Sequence, residues 1–225
     1  MEKGEKNSFI IGWLIYFILS ILIVYISSIL QKSNILLVIS SIFGVIYSLL
    51  IAKEKRIAFI FGIINVSTYG YLLFAQKLYG GLIYNILYSL PMLIWGYIKW
   101  KKVQNKENSG VKIISNKNRI VLTIVFTLLI MSYSLVLKSI GGYNYILDSI
   151  TSVLGYLGIY LMSNKYIEQW IVWIICNLAN TILWYMLSAG NTNNIPMLMM
   201  WIIYLINSIY GYITWRKKYN KRGKI

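Results

Sequence analysis

Trp95-Gly96-Tyr97-Ile98-Lys99-Trp100-Lys101-Lys102 closes one apolar run, and Tyr210-Gly211-Tyr212-Ile213-Thr214-Trp215-Arg216-Lys217 closes another far downstream. Upstream of each ending the same order recurs. Ser41-Ile42-Phe43-Gly44 answers to Ser152-Val153-Leu154-Gly155, and Gly62-Ile63-Ile64-Asn65 to Ile174-Ile175-Cys176-Asn177. Residues 34–102 and 145–218 therefore read as two copies of one unit of three apolar segments.

Hydrophobic residues make up 58% of the 225 and charged ones 12%, a balance outside the range of soluble domains. Apolar segments fall at 9–30, 34–52, 56–76, 79–100, 120–137, 143–163, 166–187 and 195–215. Most reach the roughly 20 residues that cross a bilayer core. The first is too long for the h-region of a cleavable signal, and no small-residue cleavage motif follows it. Three crossings leave the chain on the far side, so a second copy can run parallel to the first only after one more crossing, which segment 120–137 supplies. The expected fold class is an all-α polytopic membrane protein with eight transmembrane helices and two parallel three-helix repeats. Its expected divisions are an N-terminal transmembrane helix (1–33), the first repeat (34–102), a cytoplasmic loop with a linker helix (103–144), the second repeat (145–218) and a basic cytoplasmic tail (219–225). Repeated membrane bundles are common in secondary transporters, whose substrates bind near the midplane between repeats, so transport is the first functional reading.

Charge sets the expected orientation. The formal net charge is +16, and with eight spans every Lys and Arg except Lys32, Lys77 and Lys138 falls on one side. By the positive-inside rule both termini face the cytoplasm, in a bacterial cytoplasmic (inner) membrane. The tail Arg216–Lys224 is suited to anionic lipid head groups, which makes the lipid bilayer an expected partner. No nucleic-acid module accompanies the charge, so nucleic acid is not one. A single Cys and no His leave no disulfide and no Cys/His metal cluster, and no Gly-rich phosphate loop or nucleophile elbow occurs. Neither an enzyme, a cofactor nor a metal site is expected. The scarcity of titratable groups also argues for transport uncoupled from ions.

One segment is unusual. Trp170, Trp173, Asn177, Asn180 and Trp184 follow three-four spacing and share one helix face in 166–187. Buried Asn residues can glue helices together, and Trp residues can form interfacial belts, a reading that suits Trp170 and Trp184. Trp173 and Asn177 lie too deep for a belt, and an aromatic plane beside an amide suits a planar heterocycle. The matching stripe of the first copy reads Ala58, Phe61, Asn65, Thr68 and Leu72, so the stacking wall is expected mainly from the second half. In the third segment Tyr84, Asn85, Tyr88, Pro91 and Trp95 correspond to Met199, Met200, Ile203, Ile206 and Tyr210. Polar lining should thus come from 79–100 and 166–187. Pro91 marks either a hinge or a static kink. Small residues such as Gly44, Gly155 and Gly158 are expected at helix contacts. Asp148 suits a cation, a substrate hydroxyl or the membrane interface.

Three stretches together resemble the PnuC family of bacterial vitamin transporters: Ile167-Glu168-Gln169-Trp170-Ile171-Val172-Trp173-Ile174-Ile175-Cys176-Asn177, Tyr84-Asn85-Ile86-Leu87-Tyr88-Ser89-Leu90-Pro91-Met92-Leu93-Ile94-Trp95-Gly96, and Ile209-Tyr210-Gly211-Tyr212-Ile213-Thr214-Trp215-Arg216. The resemblance covers about 34–218. It implies a SWEET-like parallel-repeat fold, a homotrimer, and facilitated diffusion of nicotinamide riboside that an intracellular kinase traps by phosphorylation for NAD biosynthesis. It places Trp173, Asn177, Asn85 and Tyr88 at the family's pocket motifs, with Asn65, Gln169, Asn180 and Trp170 as further substrate-binding candidates. Relatives take thiamine, riboflavin or deoxyribonucleosides, and Leu93 stands where a polar residue is expected in nicotinamide riboside carriers. A sugar carrier and a membrane scaffold without transport are the remaining readings.

Overall fold

A computed structural model describes residues 3–104 and 111–222. Residues 105–110 of the Lys-rich loop and 223–225 of the basic tail lie outside the described residues, as do 1 and 2.

The described residues are helical nearly throughout. The elements are α1 (Lys3–Leu30), α2 (Ile35–Ala52), α3 (Ala58–Ala75), α4 (Tyr79–Ile83), α5 (Leu90–Gln104), α6 (Asn116–Ser139), α7 (Tyr145–Ser163), α8 (Gln169–Gly190) and α9 (Ile195–Arg222). A π-helical stretch, Tyr84–Ser89, joins α4 to α5 without a break, so the three pieces form one span. Among the described residues eight spans are long and apolar enough to cross a membrane. Side-chain oxygens of Asn34, Ser115 and Asn144 accept from N–H groups in the first turns of α2, α6 and α7, satisfying donors the helices cannot. Tight turns follow, with Glu54 and Lys165 at φ of 55° and 61° in equivalent bends of the two copies.

Six spans close a ring in the order α2, α9, α8, α7, α4–α5, α3. The first helix of each copy packs on the third of the other, α2 on α9 and α7 on α4–α5. Glycine makes both seams close: a Cβ on Gly44 would stand 2.6 Å from Met200 Sδ and Tyr204 OH, and one on Gly155 2.7 Å from the Tyr84 ring. α1 lies outside against α2 and α9, and α6 lies outside against α7.

The repeated Gly-Tyr-Ile-x-Trp endings do the same job twice at the basic end of the ring. Trp100 packs edge-on against Phe59 at 5.0 Å, and Trp215 edge-on against Trp170 at 5.6 Å. A Cβ on Gly211 would meet the Trp170 indole at 2.6 Å. All four rings are buried, so Trp170 is a packed interior residue and not an interfacial belt. Trp184 departs from the belt reading in the same way: it is fully buried and donates through Nε1 to Tyr69 OH at 3.0 Å.

Glu168 fastens the linker to this end. Its Oε1 accepts from the Ile114 N–H at 3.0 Å and from Arg119 Nη2 at 2.6 Å, while Lys112 exchanges backbone bonds with Lys165 and Ile167. Glu54 pairs with Lys165 and Lys218, tying the α2–α3 turn to the α7–α8 turn and to α9.

Candidate functional site

The ring surrounds a central cavity of about 100 Å³. α8 contributes Trp170, Trp173, Cys176, Asn177 and Asn180 to its lining, so four members of the sequence stripe do share one wall. Asn65 comes from α3 and Asn85 from the π-helical stretch. Tyr88 turns away: its OH donates to Tyr156 O at 3.1 Å, and its ring packs against Tyr84 and Tyr156. Gln169 is fully buried at the start of α8, outside the lining, with neither amide atom bonded among the described residues.

Trp173 reaches the cavity because Gly158 on α7 has no side chain; a Cβ there would stand 2.8 Å from the indole. The four asparagines share a polarity. Asn65 Nδ2 donates to Ser40 O at 2.8 Å, Asn85 Nδ2 to Gly81 O at 2.7 Å, and Asn180 Nδ2 to Cys176 O at 3.0 Å. Carbonyls only accept, so these amides cannot be flipped. Asn177 Nδ2 donates to Ser208 Oγ at 2.7 Å, whose own proton goes to Tyr204 O, which fixes the fourth. Every one of these carbonyl oxygens is left without a bond among the described residues, and Asn177 Oδ1 is fully buried in that state. Among the described residues, buried Trp170 Nε1 and Tyr204 OH likewise have no partner. Orphaned polar atoms around one cavity are costly unless something occupies it.

Aromatic lining comes from both halves: Trp170, Trp173, Trp201 and Tyr204 of the second, and Tyr47, Tyr69 and Tyr84 of the first. One expectation is corrected. Asp148 is not interfacial. It sits in the first turn of α7, 1% exposed, and its carboxylate accepts from the N–H groups of Gly80 and Gly81 at 3.0 and 2.9 Å.

Tyr204, Ser208 and Trp201 of α9 are lining residues that the spacing argument missed, along with Tyr69 of α3. The signal for Tyr204 and Ser208 was a step of four from Met200, the counterpart of Asn85. On the opposite wall Gly81, Asn85, Ser89 and Leu93 also recur every four residues, and all line the cavity. In an α-helix such a stripe would creep round by about 40° per step. The wider π turn, where Leu90 N–H donates five residues back to Asn85 O, holds it in line.

Comparison with known proteins agrees with this fold. The family described as nicotinamide mononucleotide transporter matches residues 34–217. The nicotinamide riboside transporter PnuC of Neisseria mucosa is 31% identical, over 80% of this chain and 71% of the relative. That of Haemophilus influenzae is 29% identical over 93% and 90%. The crystal structure of the vitamin B3 transporter PnuC superimposes with a TM-score of 0.81 at 26% identity, covering 93% of this chain and 92% of that one.

Proposed function

The chain belongs to the nicotinamide mononucleotide transporter family, and from that premise we propose that it carries nicotinamide riboside across the bacterial cytoplasmic membrane by facilitated diffusion. It is a multi-pass membrane transporter and not an enzyme. The observation that carries the substrate reading is the pairing of Trp173 with Asn177 on one wall, the first a stacking face and the second a buried, unpaired carbonyl. A planar pyridine ring bearing a carboxamide, which donates two N–H groups, complements that pair. Asn85, Asn65, Asn180 and Trp170 complete the proposed site, whereas Tyr88 and Gln169 support it from behind the lining.

Phosphorylation by an intracellular kinase then keeps the riboside inside. In this reading both termini and the basic end, with Lys53, Lys165 and Lys218, face the cytoplasm, and the assembled transporter is a homotrimer. Leu93, fully buried at the cavity wall, favours a second reading as a carrier of thiamine, riboflavin or a deoxyribonucleoside. Titration of the purified protein with these ligands and nicotinamide riboside, followed by uptake into proteoliposomes, decides between them. Preferred binding and equilibrating uptake of the riboside is the expected result. Tighter binding of another ligand overturns the substrate assignment.

A further inference from the structure

Of the asparagine amides in the cavity lining, those of Asn65, Asn85 and Asn180 give protons to main-chain carbonyls, at Ser40, Gly81 and Cys176. No substitution removes a main-chain carbonyl. Asn177 has no such acceptor: its Nδ2 donates to a side chain, Ser208 Oγ on α9, at 2.7 Å. Ser208 in turn donates to Tyr204 O at 2.8 Å, one turn back in its own helix. Both residues are buried, and Asn177 Oδ1 is left without a partner among the described residues. We propose that Ser208 is a positioning residue that fixes the polarity of Asn177, so that the site takes a ring bearing a carboxamide and refuses the same ring bearing a carboxylate.

Proton supply sets the direction of the preference. As the amide stands, Asn177 Nδ2 donates to Ser208 Oγ while the serine proton goes to Tyr204 O, and both bonds are made. With the amide turned over, Oδ1 would face Ser208, whose single proton could then serve Oδ1 or Tyr204 O but not both. One net hydrogen bond therefore keeps Oδ1 free for a ligand, a bias of about three- to tenfold. A carboxamide answers that oxygen with an N–H. A carboxylate only accepts, and would leave Oδ1 unpaired beside it. The device exists in one copy only. By the matched endings, Tyr210 to Trp95, Ser208 answers to Leu93, which also lines the cavity but has no atom to accept an amide proton. In that copy Asn65 turns to the main chain of Ser40 instead. This role for Ser208 rests on the riboside reading and deepens it.

The test titrates the full chain in detergent with nicotinamide riboside and with nicotinic acid riboside, whose carboxyl is ionised at neutral pH. Wild type should prefer the carboxamide by at least about thirtyfold, since a carboxylate leaves buried acceptors unanswered. Ser208→Ala removes one buried oxygen and frees the amide of Asn177 to turn. It should lower the preference by about three- to tenfold, through weaker binding of the carboxamide and unchanged or tighter binding of the acid. In an Asn177→Leu background, Ser208→Ala should leave that background's own ratio within about twofold, because a positioning residue acts only through the group it positions. A merely structural role for Ser208 would weaken both ligands alike and keep the wild-type ratio, and that result overturns the proposal. An undiminished effect of Ser208→Ala in the Asn177→Leu background overturns it as well. Equal binding of the two ligands by wild type, or tighter binding of the acid, overturns it with no variant needed. If wild type binds neither ligand, the substrate reading itself falls and this proposal with it; if wild type binds the riboside and Ser208→Ala keeps the ratio, this proposal falls alone.

Discussion

Trp173 holds its position by courtesy of an absent methyl group on Gly158. Gly158→Ala should push the indole out of line at a cost of about 1–3 kcal/mol and weaken riboside binding, with helix content preserved by circular dichroism. Trp173→Ala and Asn177→Leu should each cost about 1–3 kcal/mol in affinity, the scale of a lost aromatic stack or a lost buried hydrogen bond. Tyr185→Ala, on the exposed face of the same helix, is the control and should leave titration curves unchanged. Cys176, the only cysteine in the chain, offers a label-based check. It lines the cavity, so saturating riboside should slow its reaction with a small thiol reagent, and an unchanged rate would place the ligand elsewhere. Trp173 and Asn177 were legible in the sequence because polar and aromatic residues stand out within an apolar helix. Tyr204 and Trp201 were not, because among Met and Ile an aromatic residue reads equally well as core.

The π-helical stretch sets the register of a whole wall. Pro91 follows it by two residues; its ring has no N–H to donate and would crowd the carbonyl of Leu87 in a regular α-helix. Pro91→Ala should let α-helical pitch return through Tyr84–Ser89, turning Ser89 and Leu93 away from Asn85. Weaker riboside binding without a fall in thermal midpoint is the expected outcome, and unchanged binding would mean that the stretch persists without the proline. Sequence could mark Pro91 as a site of irregularity but not its kind. Kink and π turn differ in which carbonyl takes the displaced N–H, and that depends on α7 packing alongside. The Glu168 clamp escaped notice for a similar reason, since its partners are a backbone N–H at Ile114, before α6, and Arg119 in the first turn of α6, where no periodicity points to them. Glu168→Gln should lower the thermal midpoint by a few degrees through loss of a charge-assisted contact, with riboside affinity retained.

At the scale of the molecule, no described group in the cavity is poised to exchange a proton or a sodium ion with solvent. Asp148 is already engaged by two backbone N–H groups. Uptake into proteoliposomes should therefore equilibrate the riboside and ignore imposed pH or Na⁺ gradients; gradient-driven accumulation lost in Asp148→Asn would contradict this. The eight spans and the parallel copies were readable because hydropathy, loop charge and the twin Gly-Tyr-Ile-x-Trp endings agree with one another. How the copies interlock was not, because small residues such as Gly44 and Gly155 fit any tight helix pair. That interlocking opposes the order of synthesis to the order of burial. α2 is made well before α9, one of its two neighbours in the ring. Until α9 arrives, Gly44 and the amide of Asn65 border an open seam in the ring. A nascent chain thus stays recognisably incomplete until α9 has been made, a ready signal for chaperones and proteases of the membrane.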